Sequence, residues 1–297
     1  MRYDWIAKHQ AVFAIDVMCK VLGVSTSGYY DHLQGKPGPR ARRHQQIKHD
    51  VQRVYDEHHG IYGSWKIADV MRQRDDLESA CRNTVAAAMR ELDLKSRVCK
   101  SFTPVTTQAD PHKRPAANLL EQNFTAERLN QKWCTDITYI GTDEGWIYLA
   151  AVMDCFSRKI VGWSLSDSLT TELISDALRH AIENRRPDIQ ADGLLHHSDR
   201  GCQYTSDTYQ RTLTTLGITC SMSRTGCCYD NAVVERFFWS LKQEWTNHHA
   251  YADLAVARSS VFQYIEMFYN RQRIHQALGY MTPEQYETVN APASNVA

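Results

Sequence analysis

Apolar residues follow two different periods along this chain, and the change comes near residue 130. Before it the period is helical. Ile15, Met18, Cys19 and Leu22 recur at three- and four-residue steps, and Gly23 is a natural stop. "VSTSGYYDHL" predicts a second short helix after Ser25 or Ser27, so the outline is helix, tight turn, helix. "GKPGPRARRHQQ" (35–46) reads as a breaker-rich basic linker. Residues 46–98 return to helical spacing. Ile47, Val51 and Val54 form one stripe, and Ile67, Val70 and Met71 form another. Asn83 is a candidate cap for a third helix carrying Val85, Met89 and Leu92. A plain helical adaptor fits the same pattern. Residues 101–120 have prolines and no steady period, which predicts a linker.

After residue 130 the alternation has period two. In "QKWCTDITYIGT", Trp133, Thr135, Ile137 and Tyr139 alternate against Cys134, Asp136, Thr138 and Ile140. "WIYLAAVMD" and "KIVGWSLS" predict two further strands, joined by a turn around Cys155–Arg158. Then "TELISDALRHAIENRR" predicts a helix, "GLLHHSD" a short strand, "SDTYQRTLTTLG" a helix and "ITCSMSR" a strand. A long helix is predicted through "LAVARSSVFQYIEMFYNRQR". Three strands followed by alternating helices and strands imply an α/β fold, a mixed sheet covered by helices, behind an all-α front part.

One helix carries an anomaly. In "NAVVERFFWSLKQEW" (231–245), Val234, Phe237, Phe238, Leu241 and Trp245 mark one buried face. Glu235 lies off the centre of that face, with Lys242 two turns on along nearly the same stripe. A solvated polar edge is the ordinary reading of such a glutamate.

Composition narrows the class. The 297 residues are 43% hydrophobic and 23% charged, as in an ordinary globular protein. No apolar run approaches 18 residues, and the N-terminus has no uninterrupted apolar stretch with a cleavage site, so a cytoplasmic location is expected. Nine cysteines offer no C-x-x-C pair, which argues against structural zinc. The net charge of zero hides an asymmetry. Residues 1–115 hold 19 Lys and Arg against 13 Asp and Glu, or +6, and residues 116–297 hold 15 against 21, or −6. A basic front half suits a polyanion.

Three acids stand out in the acidic part. Asp136 sits inside a strand, where Asp is depleted. Asp199 ends a later strand, and Glu235 lies near a helix start. Strand ends and a packed helix can bring such acids together. Two carboxylates about 4 Å apart repel by roughly 4 kcal/mol at an effective dielectric of about 20. A cluster of three therefore calls for cations, and Mg²⁺ prefers carboxylate oxygens, water and phosphate. Two such ions can activate the attacking oxygen and stabilise the leaving one at a phosphodiester.

Between Asp199 and Glu235 lie 35 residues. In this gap the chain resembles the DDE transposase and retroviral integrase superfamily, whose core is RNase H-like. "WCTDITYI", "GWIYLAAVMDCFSRKIVGW", "HHSDRGCQY", "SMSRTGCCYDNAVVERFFWSLKQE" and "YNRQRIHQALGYMTPEQYE" resemble the successive blocks of bacterial insertion-sequence transposases of the OrfB type. "VLGVSTSGYYDHL" and "HHGIYGSWKI" resemble that family's N-terminal region, so the likeness covers nearly the whole chain.

The resemblance implies a helix-turn-helix-like segment (1–34), a helical helix-turn-helix-like DNA-binding domain (41–100), a linker (101–128) and an RNase H-like core (129–290). It implies that Asp136, Asp199 and Glu235 are the catalytic and metal-binding acids, with two Mg²⁺ ions that Mn²⁺ can replace. Lys242 matches a basic position that contacts DNA. Tyr229, Asp230 and Asn231 become site-shaping residues, although Asp and Asn before a helix are also ordinary caps. Arg271, Arg273 and His275 suit a DNA-facing helix end or a solvated turn. His196, His197 and Asp154 are weaker candidates, read respectively as packed and as a turn carboxylate. The family usually reads Gly-Asn-Cys-Tyr-Asp-Asn where this chain has Gly226-Cys227-Cys228-Tyr229-Asp230-Asn231, which alters the loop and leaves the acids intact.

The implied activity is cutting and joining DNA at element ends during transposition. The implied partners are DNA, further copies of the chain, and an upstream OrfA-type product, fused by frameshifting. The chain begins at its own Met1 and has no sustained heptad repeat, so weak end binding alone is expected. The rivals are an RNase H-like nuclease that only hydrolyses, a catalytically decayed DNA-binding protein, and a helical interaction module.

Overall fold

Gly23 ends the second helix as its position demands: φ is 63°, and its N–H bonds back to the Cys19 and Lys20 carbonyls. In the computed structural model, which describes residues 1–35, 37–97, 116–189, 193–224 and 228–290, this helix is α2 (Ile15–Leu22). It packs with α1 (Arg2–His9) and α3 (Thr26–Leu33) around Ile6, Met18, Cys19 and Tyr29. Ser25 caps α3 by accepting from the Gly28 N–H at 3.0 Å.

Three longer helices follow: α4 (Pro39–Glu57), α5 (Ser64–Gln73) and α6 (Arg82–Glu91). They bury Ile47, Val51 and Val54 from α4, Ile67 and Met71 from α5, and Val85, Ala88 and Met89 from α6. Two details differ from the sequence reading. Residues 39–46 are helix and not linker, because Pro39 occupies the first helical position, where a missing N–H costs nothing. The N-cap of α6 is Cys81, so Asn83 lies inside the first turn. Met1–Arg97 form one compact unit, and the rest of the chain forms a second.

Residues 101–115 of the expected linker lie outside the described residues, and 116–128 contain no helix or strand. The latter stretch is nonetheless anchored. Leu119 and Leu120 donate to Ser221 Oγ at 2.9 and 3.3 Å, and Leu120 is buried.

The second unit is built on a five-stranded sheet of order β3-β2-β1-β4-β5. β1 (Lys132–Thr142), β2 (Gly145–Asp154) and β3 (Ile160–Ser166) form an antiparallel meander. β4 (Leu195–Ser198) and β5 (Thr219–Met222) add in parallel beyond β1. This is the mixed sheet that the pattern implied, and the RNase H-like core that the resemblance implied. α7 (Thr171–Arg185) and α8 (Asp207–Leu216) build a core with Trp133, Ala150, Val152, Leu173, Leu178, Tyr209 and Leu213. Gly162 permits close approach of α7, since a Cβ there would stand 2.3 Å from the Ala177 carbonyl oxygen.

α9 (Ala232–Glu244) follows a short 3₁₀ turn at Cys228–Asn231. It buries Val234, Phe237, Phe238 and Leu241, as its apolar stripe predicted. The expected long helix divides into α10 (Leu254–Phe262) and a π-helical continuation, Gln263–Tyr269. Tyr264, Ile265, Phe268 and Tyr269 of that stretch are all buried. α11 (Pro283–Asn290) closes the described chain. It is tied down by Glu287, which accepts from Ser157 Oγ at 2.6 Å and pairs with Lys159 and Arg185.

Candidate active site

The pairing of β1 with β4 stops at Cys134, two residues before Asp136. Beyond that point another element serves β1. Asn231, the N-cap of α9, donates from Nδ2 to the Thr135 carbonyl oxygen at 3.1 Å. This bond seats the start of α9 beside Asp136. Asp199 directly follows β4, and its carboxylate accepts the Gly201 N–H at 2.9 Å. Glu235 stands in the first turn of α9 and is exposed, whereas Asp136 and Asp199 are half-buried.

These acids share one field. Burial pushes the Asp136 carboxyl well above the usual carboxylate range, and the charges of Asp199 and Glu235 push it further. The Ile137 N–H, 2.8 Å away, and Lys242 pull in the opposite direction. Glu235, though exposed as a residue, is raised by partial desolvation of its carboxylate and then by the charge of Asp199. Lys242 is lowered by burial, with Asp136 opposing. Its ammonium lies 4.0 Å from the centre of the Tyr139 ring.

Among the described residues no three His, Cys, Asp or Glu side chains form a ready metal cage. Charge coupling and coordination differ in reach: carboxylates repel over several ångströms, whereas Mg²⁺ takes its oxygens at about 2.0–2.1 Å. The three acids are neighbours without being a preformed chelate. Their chemistry fits a hard divalent cation, since the donors are all carboxylate oxygens and each raised acid is relieved by positive charge. Beside them the Asn231 amide oxygen is buried with no donor from the protein.

The other candidates separate clearly. Asp230 is buried, and its carboxylate accepts from Asn118, Gln122 and the Arg224 backbone and guanidinium, which pins the approach to α9. Neither Asp230 nor Asn231 caps α9 with its side chain, so the ordinary cap reading is corrected. Tyr229 is exposed. Thr225, Gly226 and Cys227 lie outside the described residues, and with them the one departure, at Cys227, from the loop that the resemblance implies. Arg271 is exposed and pairs with Glu284 at 3.7 Å.

Arg273 is buried. Its guanidinium binds Glu244 at 2.7 and 2.5 Å and reaches Ser240 at 3.3 Å, so its expected DNA contact is replaced by a core ion pair. A buried Glu244 needs a planar two-point partner, and Arg273 supplies one. His196 and His197 are packed in the core, on Tyr209 and on Ser221 and Ser223 respectively. Asp154 is a turn carboxylate, holding the Asn130 and Phe156 N–H groups and Arg185.

Two residues escaped the sequence reading. Tyr204 is buried with its hydroxyl 3.2 Å from Thr135 Oγ1, and it feels the charges of Asp136 and Asp199. Tyr139 carries Lys242. Their signal was present as aromatics five residues after Asp199 and three after Asp136.

Comparison with known proteins bears on this geometry. Two family models described as integrase core domain match residues 126–228 and 216–283, and one described as HTH-like domain matches residues 42–102. The chain is 41% identical over 293 residues to the transposase InsF for insertion sequence IS3A of Escherichia coli K12, covering 98% of this chain and 99% of the relative. It is 36% identical over 269 residues to an IS600 insertion-element 31 kDa protein of Shigella sonnei, covering 91% and 97%. A solved structure of the HTLV-2 integrase catalytic core domain in complex with magnesium covers 54% of this chain and 97% of its own, at 18% identity and a TM-score of 0.41.

Proposed function

This chain belongs to the IS3-family transposases of the InsF type, and from that premise we propose that Asp136, Asp199 and Glu235 form the acid set of its strand-transfer centre. The family places the chain in DNA transposition, as a polynucleotidyl transferase. One observation carries the residue assignment: the charges of Asp199, at a strand end, and Glu235, on a helix, raise Asp136 on its strand, and Asp199 also raises Glu235.

Asp136 and Asp199 would hold divalent cations, Mg²⁺ or in its place Mn²⁺, and Glu235 would complete the set. When bound, such ions activate the attacking oxygen and stabilise the leaving one at a phosphodiester. Lys242, beside Asp136, holds a backbone phosphate in register with the acids. At the element end a water oxygen bonds to phosphorus and the bond from phosphorus to the 3′ oxygen breaks. The freed 3′-hydroxyl then bonds to a target phosphorus, whose own 3′ oxygen leaves. No side chain becomes covalently attached. Asn231 keeps Glu235 in place by tying α9 to the backbone just before Asp136.

Duplex binding belongs to the helical region around residues 42–102, in the half of the chain with charge +6. Two DNA ends call for at least two copies of the chain, working with DNA in the cytoplasm. The acidic core and modest basic charge support weak end binding by this chain alone, with an OrfA-type fusion adding specificity. Preference of residues 1–297 alone for end DNA over scrambled DNA by about three orders of magnitude at physiological salt would contradict this.

The central test is strand transfer with labelled, pre-cut ends in Mg²⁺. Wild type joins ends, and Asp136→Asn, Asp199→Asn and Glu235→Gln each abolish joining while melting as folded proteins. Turnover like wild type in any one removes that residue from the set. Hydrolysis without joining in wild type would favour a plain nuclease.

A further inference from the structure

Trp146 opens β2 one residue after the hairpin turn, and it is 60% exposed. Its indole lies over Gly141, the residue opposite it on β1, where an added Cβ would touch the ring at 3.5 Å. It meets the edge of Tyr139 at 5.0 Å between centres, with the rings at 89°. Tyr139 in turn carries the Lys242 ammonium on its face. An exposed indole, a half-buried phenol and a lysine therefore meet in turn, and that lysine feels the charge of Asp136. The ring covers Gly141 and pairs with Tyr139, and much of the indole stays open to solvent.

We infer that Trp146 and Tyr139 form a stacking shelf for an unpaired nucleobase of the DNA, next to the phosphate held by Lys242. The inference rests on the acid-site reading for its setting, and on the rings for its chemistry. Exposed aromatic faces beside a cation are the means by which proteins bind single-stranded nucleic acid: the base stacks and the adjacent phosphate is neutralised. An intact duplex hides its base faces within its own stack, so the shelf selects a frayed, overhanging or extruded nucleotide. The charge also favours nucleic acid. The Lys242 ammonium rests on the Tyr139 ring, where its positive charge complements an incoming anion.

The test uses the full chain and two duplexes of identical sequence, one blunt and one ending in three unpaired nucleotides with 2-aminopurine next to the junction. Binding is read by anisotropy, and stacking by quenching of the 2-aminopurine. Wild type should prefer the overhanging duplex by about five- to tenfold and quench the probe, as expected for one stacked base. Trp146→Ala should bring the preference to within about twofold and abolish quenching, with blunt-duplex affinity unchanged, whereas Trp146→Phe should keep most of both. Because Trp146 is largely exposed, the Ala variant should stay folded and lose only a cross-strand aromatic pair, and the melt is measured alongside. The inference falls if Trp146→Ala quenches and discriminates like wild type. It also falls if that variant weakens both duplexes equally, which indicates duplex docking, or if it only lowers the sedimentation coefficient, which indicates self-association. Strand-transfer assays of Asp136→Asn and Glu235→Gln report on the acids separately. If those acids prove dispensable while Trp146→Ala still erases the preference, the shelf stands and the acid assignment fails.

Discussion

Single residues in this protein act through the partner that burial assigns them. Arg273 looks in sequence like Arg271, two positions earlier, yet it closes a buried pair with Glu244 while Arg271 stays at the surface. Removing one member of a buried ion pair strands the other charge, at about 3–5 kcal/mol. Arg273→Ala should therefore lower urea stability by that amount, and a variant as stable as wild type would show that Glu244 has another partner. Histidines give a second case. Burial lowers His58 to about 4 and His196 to about 3. The unfolded chain binds these protons near pH 6.5 and the folded chain does not, so their contribution is present above about pH 6.5 and is lost as pH falls toward 4. For each histidine the slope is at most about 1.4 kcal/mol per pH unit. His58→Phe, which keeps the stack on Tyr62, should reduce the loss of stability between pH 7.5 and pH 5 in thermal melts. An unchanged acid sensitivity would remove His58 as a cause.

At the scale of elements, one contact bears on the candidate site and one on the packing of the sheet. The first is the seat of α9 on β1, made by the Asn231 amide on the Thr135 carbonyl. Asn231→Ala loses that bond, worth about 0.5–1.5 kcal/mol, but it also frees the angle at which Glu235 faces Asp136. Strand transfer should fall at least about tenfold, more than this stability loss explains, because catalytic groups tolerate little misplacement. Equal small losses in both measurements would reduce Asn231 to an ordinary packing residue. The second contact is the crossing of α7 over β3. Gly162→Ala places a methyl 2.3 and 2.4 Å from α7 backbone atoms, which cannot swing aside as a flexible side chain would. It should cost about 1–3 kcal/mol or more and be seen as a lower urea midpoint.

At the scale of the whole molecule, charge is divided unevenly along the chain, +6 in residues 1–115 and −6 in the remainder. The acids of the second unit repel one another, so a cation that binds the folded site and not the unfolded chain stabilises it by mass action. Mg²⁺ or Mn²⁺ at about a hundredfold excess over its dissociation constant should add about 2.7 kcal/mol. The gain should disappear in a variant combining Asp136→Asn and Asp199→Asn. Melting that ignores both metals at saturation, with and without DNA, would rule out a shared cation site. No helix among the described residues is long and apolar enough to cross a membrane.

Periodicity alone was enough to locate most helices and strands, because side chains must alternate on a strand and recur every 3.6 residues on a helix. The order of elements then implied a mixed sheet, and α9 buried the stripe it displays in sequence. Asp136, Asp199 and Glu235 were legible as candidates because an acid inside an apolar strand or beside an apolar helix face is out of place. The partners of these groups were not legible. Whether an arginine meets DNA or Glu244, and whether an asparagine caps its own helix or reaches across to Thr135, depends on neighbours far away in the chain. Pro39 as a helix start and the π-helical stretch at Gln263–Tyr269 were missed for a related reason: packing settles how a local preference is used. The sequence by itself therefore determined most of the elements and their order, and it named the three acids as candidates. Only the tertiary structure decided which charges face each other, because burial and distance set an ion's environment, and neither is local in sequence.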